Sequence, residues 1–475
     1  MRKTKIVCTL GPATEDKETV REMIRCGMNV ARLNFSHSTY EDHARRIQMI
    51  RDLRREMEAP IALLLDTKGP EIRLRDFENN KAIIKNDQRF TLTTRNVLGN
   101  AEQASITNEQ LPLELTVGNA ILIDDGKLKL IVEEIAGTDI HCRVVHGGII
   151  SNHKSINIPN VRLSLPYLSE QDKADLLFGI EQDVDFIAAS FTRNKEDIIS
   201  LRKFLNYNGG HNIRIIAKIE NTEGVDNFDE ILANSDGIMI ARGDMGVEIE
   251  YERLPGLQKQ FIRRCYQSGK MVITATQMLE SMVSSPTPTR AEITDVANAV
   301  FDGTSAIMLS GETAAGQHPI EAVKVMAKIA EQAETDALML GSYDNFHYDM
   351  DTGTTNAVCD AACTTARDIK AKAIIALTKY GQTARRMSKF RPHMAIVAAT
   401  PVEKTYHQLS LSWGVYPVMA RYQRTSDELL QHAIDCARQI DAVEPGDRVV
   451  IAAGVPLDTT GSTNLLKVEI VGNRC

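Results

Sequence analysis

The sequence predicts an α/β protein in three parts: a (β/α)8 TIM barrel, a small β domain inserted into it, and a C-terminal open α/β sheet. Three observations predict it. Eight short runs rich in Val, Ile, Leu and Ala recur between Thr4 and Leu309, most ending in polar residues. Helical patterns separate most of these runs. One separation, between Asp66 and Ser169, is β-rich and turn-rich instead.

The runs fall at 4–9, 29–34, 61–66, 185–190, 213–218, 237–241, 271–275 and 306–309. Each reads as a strand buried on both faces, as a parallel sheet covered by helices requires. Helical patterns at 16–26, 40–57, 169–181 and 254–268 supply the crossovers. Eight strands alternating with helices is the count of a (β/α)8 barrel. Thr289-Arg-Ala-Glu292 reads as a capping box opening the helix before the eighth strand.

The long gap holds β-rich pieces at 89–94, 120–123 and 127–132, parted by Asp124-Asp125-Gly126 and Gly147-Gly148. It reads as a β domain inserted after the third strand. Insertions at that end of a barrel act as lids, because the active site lies there. A polar, turn-rich linker at 341–355 leads to helices at 356–369 and 382–390 and strands at 373–377, 395–399, 448–452 and 467–471. These describe an open α/β sheet. The expected domains are 1–70 with 168–343, 71–167, and 344–475.

Composition excludes several classes. At 475 residues, with 43% hydrophobic and 25% charged, the chain is globular and of several domains. Lys and Arg number 55 against 63 Asp and Glu, a net charge of -8, so a nucleic-acid partner is not expected. The pairs Arg45-Arg46 and Arg385-Arg386 are expected on solvated helix faces. No apolar run approaches the ~18 residues of a membrane span. The apolar patch at 6–10 is too short for a signal segment and meets Gly11-Pro12. Eight scattered cysteines read as reduced thiols of a cytoplasmic protein. Trp413, the sole tryptophan, receives no functional role.

Side chains at the C-terminal strand ends of such a barrel face the active site. These ends read Arg32, Asn34, Ser36 and His37; Asp66, Thr67 and Lys68, with Arg73 shortly after; Lys218 and Glu220; Arg242, Gly243 and Asp244; Thr274 and Thr276; and Ser310, Gly311 and Glu312. Glu220 and Asp244, on adjacent strands, suit a shared Mg2+ or Mn2+, whose ligands are oxygens. Lys218 and Arg32 would neutralise phosphate oxygens. A metal with Lys and Arg around an anion is the apparatus of phosphoryl transfer. Taken singly, Asp66 also fits a helix N-cap and Lys218–Glu220 a structural ion pair. No dinucleotide or P-loop fingerprint is present.

These residues sit in motifs that resemble the pyruvate kinases, close to the bacterial type activated by fructose bisphosphate. The likeness spans nearly the whole chain. It includes Lys5-Ile-Val-Cys-Thr-Leu-Gly-Pro12, Ala31-Arg-Leu-Asn-Phe-Ser-His37, Leu65-Asp-Thr-Lys-Gly-Pro-Glu-Ile-Arg73, Ile216-Ala-Lys-Ile-Glu-Asn221, Ile240-Ala-Arg-Gly-Asp-Met-Gly246, Thr274-Ala-Thr-Gln-Met-Leu-Glu-Ser281 and Met308-Leu-Ser-Gly-Glu-Thr-Ala314. The resemblance implies a barrel with a β-barrel lid and a C-terminal α/β domain. It implies transfer of a phosphoryl group from phosphoenolpyruvate to ADP, giving pyruvate and ATP, the last step of glycolysis.

It further implies that Glu220 and Asp244 hold the divalent metal and that Lys218 stabilises the phosphoryl group in flight. Arg32 is a second phosphate contact. Gly243, Asp244 and Thr276 hold the substrate's carboxylate end, and Thr276 lies near the path of the proton that the enolate takes. Asn34, Ser36, Asp66 and Thr67 are the implied K+ ligands, and Glu71 implies that K+ is required. Implied nucleotide contacts are Asn34, Phe35, Ser36, His37, Arg73 and Lys154, although Lys154 also reads as a solvated lid lysine. Relatives often carry a basic pair after Thr192, where this chain has Arg193-Asn194.

In the C-terminal part, Thr378, Lys379, Tyr380, Gly381, Gln382 and Thr383 form a loop that opens a helix, which suits an anion. Taken alone, this loop and the loop 454–464 also read as turns with N-caps; the pair, including Gly461, matches the family's sugar-phosphate effector site. Fructose 1,6-bisphosphate is the expected effector, and a homotetramer the expected assembly. Two alternatives stand beside this reading. One is another metal-dependent barrel enzyme of pyruvate chemistry, which would need no ADP. The other is an inactive sugar-phosphate sensor, which predicts damage at Lys218, Glu220, Asp244 or Thr276; all four are intact.

Overall fold

A computed structural model describes residues 1–343, 353–423, 425–456 and 463–472. Eight parallel strands form a closed barrel: Lys5–Thr9, Val30–Asn34, Ala62–Asp66, Phe186–Ala189, Arg214–Ile219, Gly237–Ala241, Met271–Ala275 and Ala306–Leu309. The first strand closes the ring by pairing with both the second and the eighth. Helices begin where the sequence offers caps. Asp16 caps Lys17–Cys26, and capping boxes at Thr39, Ser169 and Thr289 open Tyr40–Met57, Glu170–Glu181 and Arg290–Phe301.

Strand alternation sorts the barrel's side chains. Leu63, Leu65, Ile215, Ala217 and Ile219 face the helices in the large outer core. Val30, Ala62, Leu64, Phe186, Ala188 and Ile216 fill the barrel's interior. The same parity carries Arg32, Asp66 and Lys218 inward, above that apolar floor. Thr274 has the other parity: its hydroxyl meets Thr304 at 2.9 Å, outside the barrel. Its expected place among the site residues is therefore corrected.

After the third strand the chain builds a seven-stranded sheet in the order Ile72–Arg73, Ser155–Asn157, Ala120–Ile123, Leu128–Ala136, Asp139–His146, Arg89–Thr93, Gln103–Ser105. It curls around its own core, which includes Phe90, Leu92, Ile121, Leu130 and Val144. A short antiparallel pair, Lys81–Ile84 with Gly148–Ser151, lies beside it. The strand expected at 127–132 runs on to Ala136, and Asp139–His146 was not foreseen. Its inward Ile140, Cys142 and Val144 alternate with polar residues, as a half-buried strand requires.

The C-terminal part is a five-stranded sheet in the order Val415–Met419, Ala395–Thr400, Ala373–Leu377, Arg448–Ala453, Leu465–Ile470; only the last strand is antiparallel. Thr354–Asp368 and Gln382–Lys389 cover one face through Cys359, Ala362, Ala384 and Met387. Ser426–Gln439 covers the other through Leu430, Ala433 and Ala437. Cys359 and Cys363 are buried thiols whose pKa values burial raises, so they are inert.

This sheet seals the barrel's N-terminal end. Leu411 packs with the barrel's interior residues. Lys5 Nζ donates to Val415 O at 2.6 Å, Gly414 N to Lys3 O at 2.9 Å, and the Tyr416 hydroxyl to Arg2 O at 2.7 Å. Trp413 is wholly buried, with Arg391 4.8 Å and Lys3 5.6 Å from its ring. The two arginine pairs are not simply solvated. Arg45 is exposed, but Arg46 is buried on Ser38 and Glu15, and Arg385 is partly buried at the junction with the barrel.

Candidate active site

The centre is a buried network at the barrel's C-terminal end. Asp66 ends the third strand. Its Oδ2 accepts from Arg32 Nε at 2.6 Å, and its Oδ1 from Lys218 Nζ at 3.0 Å and Ser190 Oγ at 3.1 Å. Lys218 also donates to Ser190 Oγ at 2.7 Å and lies 2.9 Å from Glu220 Oε1. Arg32 reaches Thr9 Oγ1 at 2.8 Å. Thr67 Oγ1 donates to Ala188 O and accepts from Ser190 N, tying the third strand to the fourth.

Electrostatics follow from this packing. Burial alone would lower the Lys218 pKa, but Asp66 and Glu220 outweigh it and push it up, so the ammonium stays charged. Burial opposes the Asp66 charge as well, and Arg32 with Lys218 overcomes it to hold the carboxyl below its usual range. Glu220 goes the other way: burial, reinforced by the neighbouring Asp244, raises its pKa against the pull of Lys218. Its Oε2 accepts from Phe191 N at 2.5 Å, while buried Oε1 has only the Lys218 ammonium as an ion-pair partner. An under-satisfied buried carboxylate oxygen beside a second carboxylate fits a divalent cation. Among the described residues no three His, Cys, Asp or Glu converge. A cation here would take two protein carboxylates and complete its shell with other oxygens, the habit of Mg2+.

A second group lies on the sixth and seventh strands. Gly243 N donates to Thr276 Oγ1 at 2.8 Å, and that hydroxyl donates to Ala275 O at 2.6 Å. Thr276 and Gln277 both have left-handed backbone, φ 71° and 55°. Two such residues in succession are costly outside glycine. Arg242 supports the bend by donating to Thr276 O at 2.5 Å and pairing with Asp295 at 2.8 Å. Sequence parity points Thr274 away from the site and cannot foresee this bend; Arg242 was seen only as a strand-end residue. Glu312 serves structure: it accepts from Leu279 N and Ser310 N, joining the loops after the seventh and eighth strands.

The lid faces this rim across a cleft lined by Glu71, Ser155, Asn157, Asn221, Asp244 and others. Asn157 Nδ2 meets Glu248 Oε1 at 3.3 Å across it. Arg73 pairs with Glu71 at 2.7 Å and donates to His153 O at 2.7 Å. Lys154 pairs with Asp124 at 2.9 Å. The turn after the second strand presents Asn34, whose Oδ1 accepts from Ser36 N at 3.1 Å, and Phe35, stacked on His43 at 4.1 Å; His43 in turn bonds His37 O. Arg193 lines this cleft but folds back onto Asp197 and the carbonyls of Leu163 and Leu165, so it braces the lid hinge.

The loop at Thr378–Thr383 lies at the other end of the molecule from this cleft. Thr383 Oγ1 meets Thr463 Oγ1 at 2.7 Å, so it faces the edge strand that follows the 454–464 loop. Gly381 has φ 77°, and a Cβ there would meet Arg385 Nη1 at 2.5 Å. Gly461 falls outside the described residues.

Fold and site together define a (β/α)8-barrel enzyme with a charged, buried centre under a β lid. Residues 1–323 match the family model described as pyruvate kinase, barrel domain, and residues 356–469 that of pyruvate kinase, alpha/beta domain. A pyruvate kinase of Clostridium acetobutylicum is 48% identical over 99% of this chain and 100% of its own. One of Staphylococcus aureus is 46% identical over 100% of this chain and 81% of its own. The crystal structure of a pyruvate kinase from Cryptosporidium parvum superposes with a TM-score of 0.92 at 39% identity, covering 99% of this chain and 96% of that one. The chain belongs to the pyruvate kinase family and is a phosphotransferase. No helix among the described residues is long and apolar enough to cross a membrane.

Proposed function

We propose that the chain catalyses phosphoenolpyruvate + ADP + H+ → pyruvate + ATP, with Arg32, Lys218, Gly243, Asp244 and Thr276 at the reacting end. The observation that carries this is the buried Lys218, positioned by Ser190 and held charged by Asp66 and Glu220 at the rim of the barrel. A rigid ammonium there meets charge spread over the equatorial oxygens of the moving phosphoryl group. The bond from phosphorus to the enol oxygen breaks, and a bond to an ADP phosphate oxygen forms. The enolate left behind takes a proton on carbon, delivered along a path near Thr276 through water. Gly243 N and the Thr276 hydroxyl orient the substrate's carboxylate.

Mg2+ or Mn2+ would be held by Glu220 and Asp244 and would supply positive charge to the substrate oxygens. K+ would be held by Asn34, Ser36, Asp66 and Thr67. Asn34, Phe35, Ser36, His37, Arg73 and Lys154 form the nucleotide side of the cleft; Arg73 and Lys154 reach it by exchanging Glu71 and Asp124 for phosphate. In this reading the catalytic barrel is 1–70 with 168–343, the lid 71–167 and the regulatory domain 344–475. A sugar phosphate, fructose 1,6-bisphosphate foremost, activates from Thr378–Thr383 and Gly461. The working form is a cytoplasmic homotetramer.

The direct test is a coupled pyruvate assay of wild type beside Lys218→Met. Loss of that charge is expected to lower kcat by several powers of ten, about 1.4 kcal/mol each. Equal rates would refute the assignment, and turnover without ADP would favour another class of barrel enzyme.

A further inference from the structure

Among the described residues, seven Lys and Arg side chains line one cleft between the barrel's N-terminal end and the C-terminal sheet, against a single lining carboxylate, Asp236. From the barrel come Arg202, Arg214 and Lys270; from the C-terminal part come Arg385, Arg386 and Lys404 among others. Several are partly neutralised. Arg202 and Arg214 share Asp236 at 2.5 Å and 2.9 Å. Lys270 donates to the carbonyls of Leu232, Ala233 and Ser235. Lys404 pairs with Asp183 at 2.7 Å.

Arg385 is not neutralised in this way. Its Nη2 donates to Tyr380 O, but its Nη1 is sealed from solvent and has no hydrogen-bond partner among the described residues. Burial, with the Arg214 charge beside it, outweighs the pull of Asp236 and holds its pKa well below the usual guanidinium range. A guanidinium with one sealed, under-satisfied nitrogen beside a second guanidinium is costly when one carboxylate, Asp236, serves both. Arginine forks match the paired oxygens of phosphate better than a single carboxylate matches several cations.

We propose that this cleft binds a small phosphate-bearing anion, which bridges Arg385 and Arg386 of the C-terminal sheet domain to Arg202 and Arg214 of the barrel. The site backs onto the sugar-phosphate cradle: Tyr380 and Gln382 of that loop also line the cleft, while the Thr383 hydroxyl turns the other way, toward Thr463. Its position gives it a lever. Arg214 opens the strand that carries Lys218, Asp236 directly precedes the strand that leads to Asp244, and Lys270 directly precedes the strand that leads to Thr276. An anion here would fix the starts of three strands whose far ends carry the reacting groups.

The test is calorimetric titration of the full chain with inorganic phosphate at low ionic strength, in the Thr383→Glu background with and without Arg385→Gln. The active site is the same in both proteins, so it cancels. Arg385→Gln is expected to remove one phosphate site per chain or weaken it at least tenfold. Identical isotherms would overturn the proposal. Circular dichroism checks folding, and Arg202→Gln, on the opposite wall, carries the same expectation if Arg385→Gln does not fold. Repeating the titration with glycerol 3-phosphate separates the sources: tighter binding than phosphate marks an organic phosphate, equal binding the inorganic ion. Thr383→Glu alone tests the cradle, so failure of one site leaves the other standing.

Discussion

Lys218 is fixed by three oxygens of the chain itself: Asp66 Oδ1, Ser190 Oγ and Glu220 Oε1. A flexible lysine stem held at three points loses little further freedom when substrate binds, which favours the transition state. Glu71 offers a second experiment at this scale. Its carboxylate binds Arg73 at 2.7 Å, and Glu71→Lys would put an ammonium at the cleft in its place. The variant is expected to turn over with Tris as the sole monovalent cation and to lose most of its K+ stimulation, measured at equal ionic strength. Arg32, Asp66 and Lys218 were legible in the sequence because strand parity alone aims them inward. Thr276 was legible as a strand-end residue, but its turn into the site was not. Its left-handed φ breaks the parity, and the Arg242 bond that supports it joins residues 34 apart in the chain.

At the scale of elements, the helix Glu403–Gln408 docks the C-terminal sheet on the barrel. Gln408 donates to Asp185 O and Asn212 O, and Tyr406 to Glu58 O. His407 is buried there among Arg54, Lys404, Asp185 and Glu403; burial, then the Arg54 charge, lowers its pKa to about 4. Between that value and its ordinary one the unfolded chain binds a proton that the folded chain refuses. Stability from this group is therefore complete above ~6.5 and is lost as pH falls toward 4, roughly 3 kcal/mol in all. Urea unfolding of His407→Asn at pH 7 and pH 5 should show a smaller acid loss than wild type; an equal loss would place the acid sensitivity elsewhere. The barrel strands were legible because each is a continuous apolar run. Val415–Met419, Ser426–Gln439 and Asp139–His146 were missed, since a proline, short apolar stretches or plain alternation blur their patterns.

Across the whole molecule, the lid covers one end of the barrel and the C-terminal sheet plugs the other. The net charge of -8 concealed this polarity. Cations collect in two places, inside the rim and in the junction cleft, while the total stays acidic. The Thr378–Thr383 loop is thus remote from the chemistry, and a signal from a ligand bound there would cross the junction. Thr383→Glu, which places a carboxylate against Thr463, is expected to abolish activation by fructose 1,6-bisphosphate while leaving basal turnover within about twofold, read by initial rates at low phosphoenolpyruvate. Undiminished activation would remove the cradle assignment.

The closure of the ring has a consequence for synthesis. Ile6, Val7 and Cys8 form one edge of an apolar ribbon until residues 306–309 arrive to pair with them. At ~5–20 residues per second on a ribosome, that wait is roughly 15–60 s. Throughout it the nascent chain carries an open, sticky margin, and the lid must emerge and fold in the middle of the interval. The vulnerable period of this protein is its own translation, and its last barrel strand works as the clasp that ends it.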